Sequence, residues 1–151
     1  MARLPVPSPL GPLTLTASSG ALTALDWGDL GAEGDDPVLM RAAAQLADYF
    51  AERRRAFDLP LRPAGTDFQR RVWDVLAGIP CGCVATYGEV ARRVGSSARA
   101  VGGACGANPL PIVIPCHRVV GTGGAGGYSG QGGLSTKEWL MRFEAGVRTL
   151  L

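Results

Sequence analysis

Three capping-box signatures constrain the second half of this chain more than any other feature. Thr66-x-x-Gln69, Thr86-x-x-Glu89 and Ser135-x-x-Glu138 each set a hydroxyl three residues ahead of a side chain that can reach back to it. Such a pair satisfies two unpaired N–H groups at once, so each predicts a helix start. After Thr66, the residues Phe68, Val72, Trp73, Val75 and Leu76 recur at helical spacing, and Gly78 with Pro80 ends the run. After Thr86, a short helix turns Val90, Ala91 and Val94 inward and stops at Gly95. A third helix starts near Ser96 or Ser97 and runs to about Gly106. The last helix carries Trp139, Leu140 and Phe143 inward and closes on Glu144. Helix, glycine-containing turn, helix is the outline of a helix-turn-helix, an outline that many helical proteins share.

The first part of the chain follows a different period. Leu13, Leu15 and Ala17 alternate, then Leu22, Leu25 and Trp27, with Ser18-Ser19-Gly20 between them, which predicts a hairpin over 10–27. Gly28 to Asp36 is loop, and Pro37 suits the first turn of a helix over roughly 38–54. Leu39, Ala43, Leu46, Tyr49 and Phe50 share one face of it, and Arg53-Arg54-Arg55 closes it against the helix dipole. Leu59 to Ala64 is punctuated by proline and predicts a linker. The expected fold is therefore α/β in the α+β sense: an N-terminal sheet-plus-helix lobe over 1–62 and a mainly helical lobe over 63–151.

Length and charge agree with that division. The 151 residues suit one domain or two small lobes. Residues 1–62 hold six Lys/Arg against eight Asp/Glu, and residues 63–151 hold nine against five, so the second lobe is the better candidate for a polyanion. Met1 to Leu10 carries one arginine and three prolines without an apolar centre, which predicts no secretory signal, and no apolar run reaches the ~20 residues of a membrane span. Cys81, Cys83, Cys105 and Cys116 show neither a CxxC pair nor a repeated spacing. They predict a reduced, cytoplasmic protein without a disulfide framework or a zinc site.

Chemistry concentrates in Ile114-Pro115-Cys116-His117-Arg118-Val119, where a potential nucleophile adjoins the only histidine in the chain. The reactive form of cysteine is the thiolate, which a nearby base or positive charge promotes; His117 would supply the base and Arg118 local positive charge. A buried, inert cysteine is the alternative reading. Ahead of it, Asn108-Pro109-Leu110-Pro111 predicts a turn and Ile112-Val113-Ile114 a short buried strand delivering Cys116. On an extended backbone neighbouring side chains point oppositely, so a bridging water is expected between His117 and the sulfur. Residues 121–133 are mostly glycine, with Tyr128 the only large side chain, and predict a mobile wall beside the cysteine. In the third helix Gly102-Gly103 costs ~1 kcal/mol per glycine relative to alanine. The pair suits either close approach of a large partner or tight helix packing. Arg99 is the only charge between Arg93 and Arg118, as a cation entering a nucleic-acid groove would be.

Taken together, Thr86-Tyr87-Gly88, Arg99-Ala100-Val101, Asn108-Pro109, Ile114 to Val119, Gly127-Tyr128-Ser129 and Lys137 to Glu144 resemble the O6-alkylguanine-DNA alkyltransferases over roughly 66–146. The resemblance implies direct-reversal DNA repair: an irreversible, single-turnover transfer of the alkyl group from a flipped O6-alkylguanine, or O4-alkylthymine, to a protein cysteine. Cys116 would be the acceptor and His117 the base, acting through a water and oriented by Glu144. Asn108 would brace the active-site turn. Arg99 would fill the hole left by the flipped nucleotide, and Tyr87 would crowd the target phosphate and meet the guanine. Val119, Tyr128 and Ser129 would line the extruded base. The partner would be double-stranded DNA, docked by its minor groove on a monomer, with no cofactor and no membrane.

Three departures from the family pattern stand out. The turn Gly95-Ser96-Ser97-Ala98 is about two residues short, and the segment 128–134 is about two residues long. The N-terminal lobe has neither His nor Cys, so no metal is expected there. Two rival classes remain on sequence grounds. A Cys–His hydrolase would use a histidine remote in sequence, and a non-catalytic damage binder would lack the acceptor cysteine.

Overall fold

The computed structural model describes residues 1–122 and 134–146. The chain divides into two compact units, Met1–Ala64 and Gly65–Leu151, two residues beyond the sequence-based boundary. In the first unit, β1 (Ala2–Val6), β2 (Leu13–Ser18) and β3 (Ala21–Trp27) form an antiparallel sheet with β2 in the middle, and α1 (Pro37–Phe50) packs against it. Leu13, Leu15, Leu22 and Leu25 are buried, as are Val38, Leu39, Ala42, Leu46 and Tyr49 of α1. The hairpin β2–β3 matches the alternation read from the sequence. Strand β1 was not anticipated, because Pro5 argues against a strand; at a sheet edge the missing N–H is tolerated.

Two further expectations for this unit are corrected. Helix α1 ends at Phe50 rather than near 54, with Ala51 as its cap and Glu52 at a φ of 63°. Arg53–Arg55 therefore lie beyond the helix, where Arg53 pairs with Asp48 at 3.1 Å instead of facing the last carbonyls. The segment read as a linker is partly sheet: Leu22 N donates to Pro60 O at 2.9 Å and Arg62 N to Leu22 O at 2.7 Å. The open edge of β3 captures it.

In the second unit, α2 (Asp67–Ala77) and α3 (Tyr87–Val94) start at the anticipated capping boxes. Gln69 N donates to Thr66 Oγ1 at 3.1 Å and Thr66 N to Gln69 Oε1 at 2.9 Å; both reciprocal bonds at Thr86 and Glu89 are 3.0 Å. Gly95 ends α3 in the left-handed conformation, φ 69°, which costs glycine nothing. Ser97 then caps α4 (Ala98–Gly106), its side chain accepting from Ala100 N. The third box is not used as expected. Helix α5 (Leu134–Ala145) already includes Ser135, so the serine lies inside the helix rather than at its cap. A parallel pair, β4 (Ala85–Thr86) with β5 (Val119–Val120), ties the start of α3 to the segment after Cys116.

Trp73 holds α2 to α4: it is fully buried and its indole N–H donates to Ala104 O at 2.9 Å. Gly65 lies over that ring. A Cβ there would stand 2.5 Å from Trp73 Cη2 and 2.8 Å from Gln69 Oε1. Gly65→Ala must therefore displace a locked indole or break the capping box. It is expected to cost about 1–3 kcal/mol, lowering Tm by several degrees in thermal denaturation. An unchanged Tm would show that the Trp73 packing is softer than the geometry implies.

Candidate active site

The loop 107–115 presents Cys116. Asn108 holds it at two points, donating from Nδ2 to Ile114 O and accepting from Leu110 N through Oδ1, both at 2.9 Å. Ile114 N closes onto Leu110 O and Cys116 N onto Ile114 O, both at 2.8 Å. Residues 112–114 are thus a turn, not the short strand expected. A strand would need a neighbour for its N–H groups, whereas here the loop bonds to itself. Ile112 pays for this with a φ of 73°, a conformation that costs a β-branched residue about 1–3 kcal/mol. Such strain persists only where surrounding bonds over-determine it, and Asn108 supplies two of them.

Cys116–Arg118 is a single 3-10 turn. The extended backbone from which a bridging water was argued is therefore absent, and the orientation of His117 has another cause. Its Nε2 lies 2.8 Å from Glu144 Oε2 on α5, with both side chains buried. His117 Nδ1 is buried and has no hydrogen-bond partner among the described residues. Burial holds the imidazole below its ordinary pKa; Glu144 opposes that shift, and Arg118 and Lys137 add to it.

Two buried groups complete the surroundings: Lys137, which sequence reasoning did not assign, and Arg118, which it read only as local positive charge. Lys137 is fully buried, donates to Tyr87 Oη at 3.3 Å and stands 5.4 Å from the centre of the Tyr87 ring. Burial pushes the Tyr87 hydroxyl up and the Lys137 ammonium down. Arg118 forms a planar two-point pair with Glu144 and donates to Ile79 O. The signal for Lys137 was present: Lys137, Leu140 and Glu144 share one helical face, and Leu140 marks it as buried. Cys105 belongs to the same neighbourhood. Burial, then Cys116, pushes its thiol up to about 12, so only on the order of one molecule in 10⁵ carries its thiolate at pH 7.

The remaining site residues are placed as follows. Val119 is fully buried in β5, opposite Ala85. Arg99 is exposed near the start of α4. Among the described residues, a Cβ at Gly103 would meet nothing within 4 Å, and one at Gly102 would only touch the Tyr87 ring at 4.0 Å. Packing among those residues does not require these glycines. Tyr128 and Ser129, with the glycine-rich wall from 123 and the longer segment up to 133, lie outside the described residues. Among the described residues, no group of three or more His, Cys, Asp and Glu side chains could hold a metal ion, and no helix is long and apolar enough to cross a membrane.

Comparison with known proteins identifies the class. Residues 67–146 match the model of the 6-O-methylguanine DNA methyltransferase DNA-binding domain, and residues 6–63 match that of the ribonuclease-like domain of the same proteins. The chain belongs to the 6-O-methylguanine DNA methyltransferase family. Among individual relatives, the methylated-DNA–protein-cysteine methyltransferase of Mycobacterium tuberculosis is 42% identical over 149 residues, covering 92% of this chain and 89% of that protein. That of Salmonella typhimurium is 52% identical over 104 residues, spanning 66% of this chain and 60% of the relative's length. The crystal structure of Mycobacterium tuberculosis OGT in complex with DNA superposes with a TM-score of 0.85 at 41% identity, covering 95% of this chain and 92% of that one.

Proposed function

We propose that this protein repairs O6-alkylguanine in double-stranded DNA by moving the alkyl group to Cys116, once per molecule. The observation that carries the reading is the Cys116-His117-Glu144 arrangement. The cysteine is held by a strained, braced loop, and the neighbouring imidazole is tied at Nε2 to a buried carboxylate, leaving Nδ1 without a partner among the described residues. In the reaction the thiol proton passes to His117 Nδ1 through a water molecule. The sulfur attacks the alkyl carbon, the carbon–O6 bond breaks, and the proton is returned to the departing guanine. Tyr87, hydrogen-bonded to Lys137, would meet the base. The thioether product does not hydrolyse, so the protein is consumed. We further propose that it acts as a cytoplasmic monomer, its four cysteines standing as thiols.

A stacked base cannot present its alkyl carbon for in-line attack, so the nucleotide must leave the duplex. We assign α3 and α4 as a helix-turn-helix that enters the minor groove with the smooth face around Gly102 and Gly103. Arg99 fills the space of the extruded base. Arg99→Ala should slow transfer from duplex DNA about 100-fold, in line with an unstacking cost of a few kcal/mol, and should slow transfer from the free alkylated base less than threefold. Equal losses on both substrates would contradict the assignment.

The reaction class is tested by counting turnovers against excess duplex carrying one O6-methylguanine. One lesion removed per protein molecule, then no more, is expected. Continued release would assign a hydrolase, and binding without removal would assign a non-catalytic damage binder.

A further inference from the structure

Arg118 is a buried cation to which the proposed reaction gives no task. Its guanidinium is 2.8 Å from Glu144 through both Nε–Oε1 and Nη2–Oε2, and Nη1 donates to Ile79 O at 2.6 Å. A planar, two-point pair of this kind fixes a carboxylate in position and orientation, which a lysine cannot reproduce. Glu144 Oε2 faces both Arg118 Nη2 and His117 Nε2. A carboxylate paired with a guanidinium is ionised and can only accept hydrogen bonds, so the His117 Nε2 carries a proton. Whether Nδ1 carries one as well depends on charge balance. Arg118 and Glu144 cancel, and an imidazolium would leave an uncompensated positive charge on a fully buried ring.

We infer that Arg118 is a positioning residue for alkyl transfer: by engaging both oxygens of Glu144 it holds His117 neutral, with its ring proton on Nε2 and a lone pair on Nδ1. The inference rests on the proposed role of His117 as proton acceptor. Without Arg118, the Glu144 carboxylate would favour the imidazolium more strongly, and a protonated Nδ1 is closed to the thiol proton. Among the described residues, the charged groups acting on the ring are Glu144 and Lys137 from α5 and Arg118 from its own turn. Cys116 adjoins it in sequence. Burial opposes the imidazolium most, Glu144 favours it, and Arg118 and Lys137 add to the opposition. Arg118 is the member of this set that both neutralises Glu144 and fixes its geometry. The base is thereby kept ready for a proton, at the cost of holding it only briefly before guanine takes it.

Because His117 is the only imidazole in the chain, its nitrogen signals are unambiguous in a long-range ¹⁵N–¹H spectrum. The wild-type protein at pH 7 is expected to show a neutral ring protonated on Nε2. In Arg118→Gln the titration midpoint should rise by about 1–3 pH units, the range typical of an opposite charge within ~4–6 Å. The acid limb of the pH–rate profile for inactivation by free O6-benzylguanine should move up by the same amount, with the rate recovering above the new midpoint. Arg118→Lys keeps the charge but not the two-point pairing, so it should titrate close to wild type while its inactivation rate stays below wild type at every pH. An imidazolium, or a ring protonated only on Nδ1, in the wild-type protein at pH 7 would overturn the inference without any variant having to fold. An unmoved midpoint in folded Arg118→Gln would also overturn it. Whether alkyl reaches Cys116 at all is read by mass, so failure of the reaction is distinguishable from failure of the Arg118 role.

Discussion

Cys116→Ala is expected to abolish alkyl transfer while leaving affinity for duplex DNA within about threefold of wild type, because phosphate contacts dominate affinity for nucleic acid. The reasoning is chemical. Of the four cysteines, Cys105 is the one that shares the neighbourhood of Tyr87 and Lys137 with Cys116, and burial keeps it a thiol. Cys81 and Cys83 lie on the turn that precedes β4, where no imidazole adjoins them in sequence. The substitution removes one buried sulfur and should cost about 1 kcal/mol of stability, too little to unfold the chain. Transfer assays with radiolabelled methylated duplex and gel-shift titrations on the same preparations separate the two effects. Residual transfer above about 1% of wild type would move the acceptor elsewhere.

Glu144→Leu is expected to be the most destabilising single change at the site. It strands Arg118, only 6% exposed, and leaves His117 Nε2 without its carboxylate. Removing one partner of a buried ion pair costs about 3–5 kcal/mol, which for a chain of this length lowers Tm by about 6–20 °C. Replacing both partners, Glu144→Leu with Arg118→Met, should restore most of that loss, since no charge is then left buried alone. Alkyl transfer should stay depressed in the double variant, because His117 remains unoriented. Chemical denaturation and inactivation rates by free O6-benzylguanine, measured on both variants, distinguish stability from chemistry. Recovery of rate together with stability would show that Glu144 serves the fold alone.

Local hydrogen bonding explains what could be read in advance. The boxes at Thr66 and Thr86, the left-handed Gly95 and the cap at Ser97 involve partners within a few residues, so their geometry is written in short sequence windows. Strand β1 and the capture of 60–62 by β3 depend on edges supplied by distant segments, and their prolines pointed the other way. The turn at 112–114 was misread because three apolar, β-branched residues resemble a strand, whereas Asn108 folds the loop back on itself. Cys116 and His117 were legible by adjacency. The role of Glu144 came from family resemblance, and its 2.8 Å contact with His117 joins residues 27 apart in sequence. Lys137 was given no role and Arg118 only that of a local positive charge, because charged side chains are ordinarily assigned to solvent, and only the packing of α5 shows them buried.

The central claim is that Cys116 takes the alkyl group, and mass spectrometry tests it directly. The protein is mixed with duplex DNA carrying a single O6-methylguanine, weighed intact, then digested and mapped. One methyl group per molecule, located on the peptide containing Cys116, is the predicted result. An unchanged mass, or a methyl group on Cys81, Cys83 or Cys105, would contradict it.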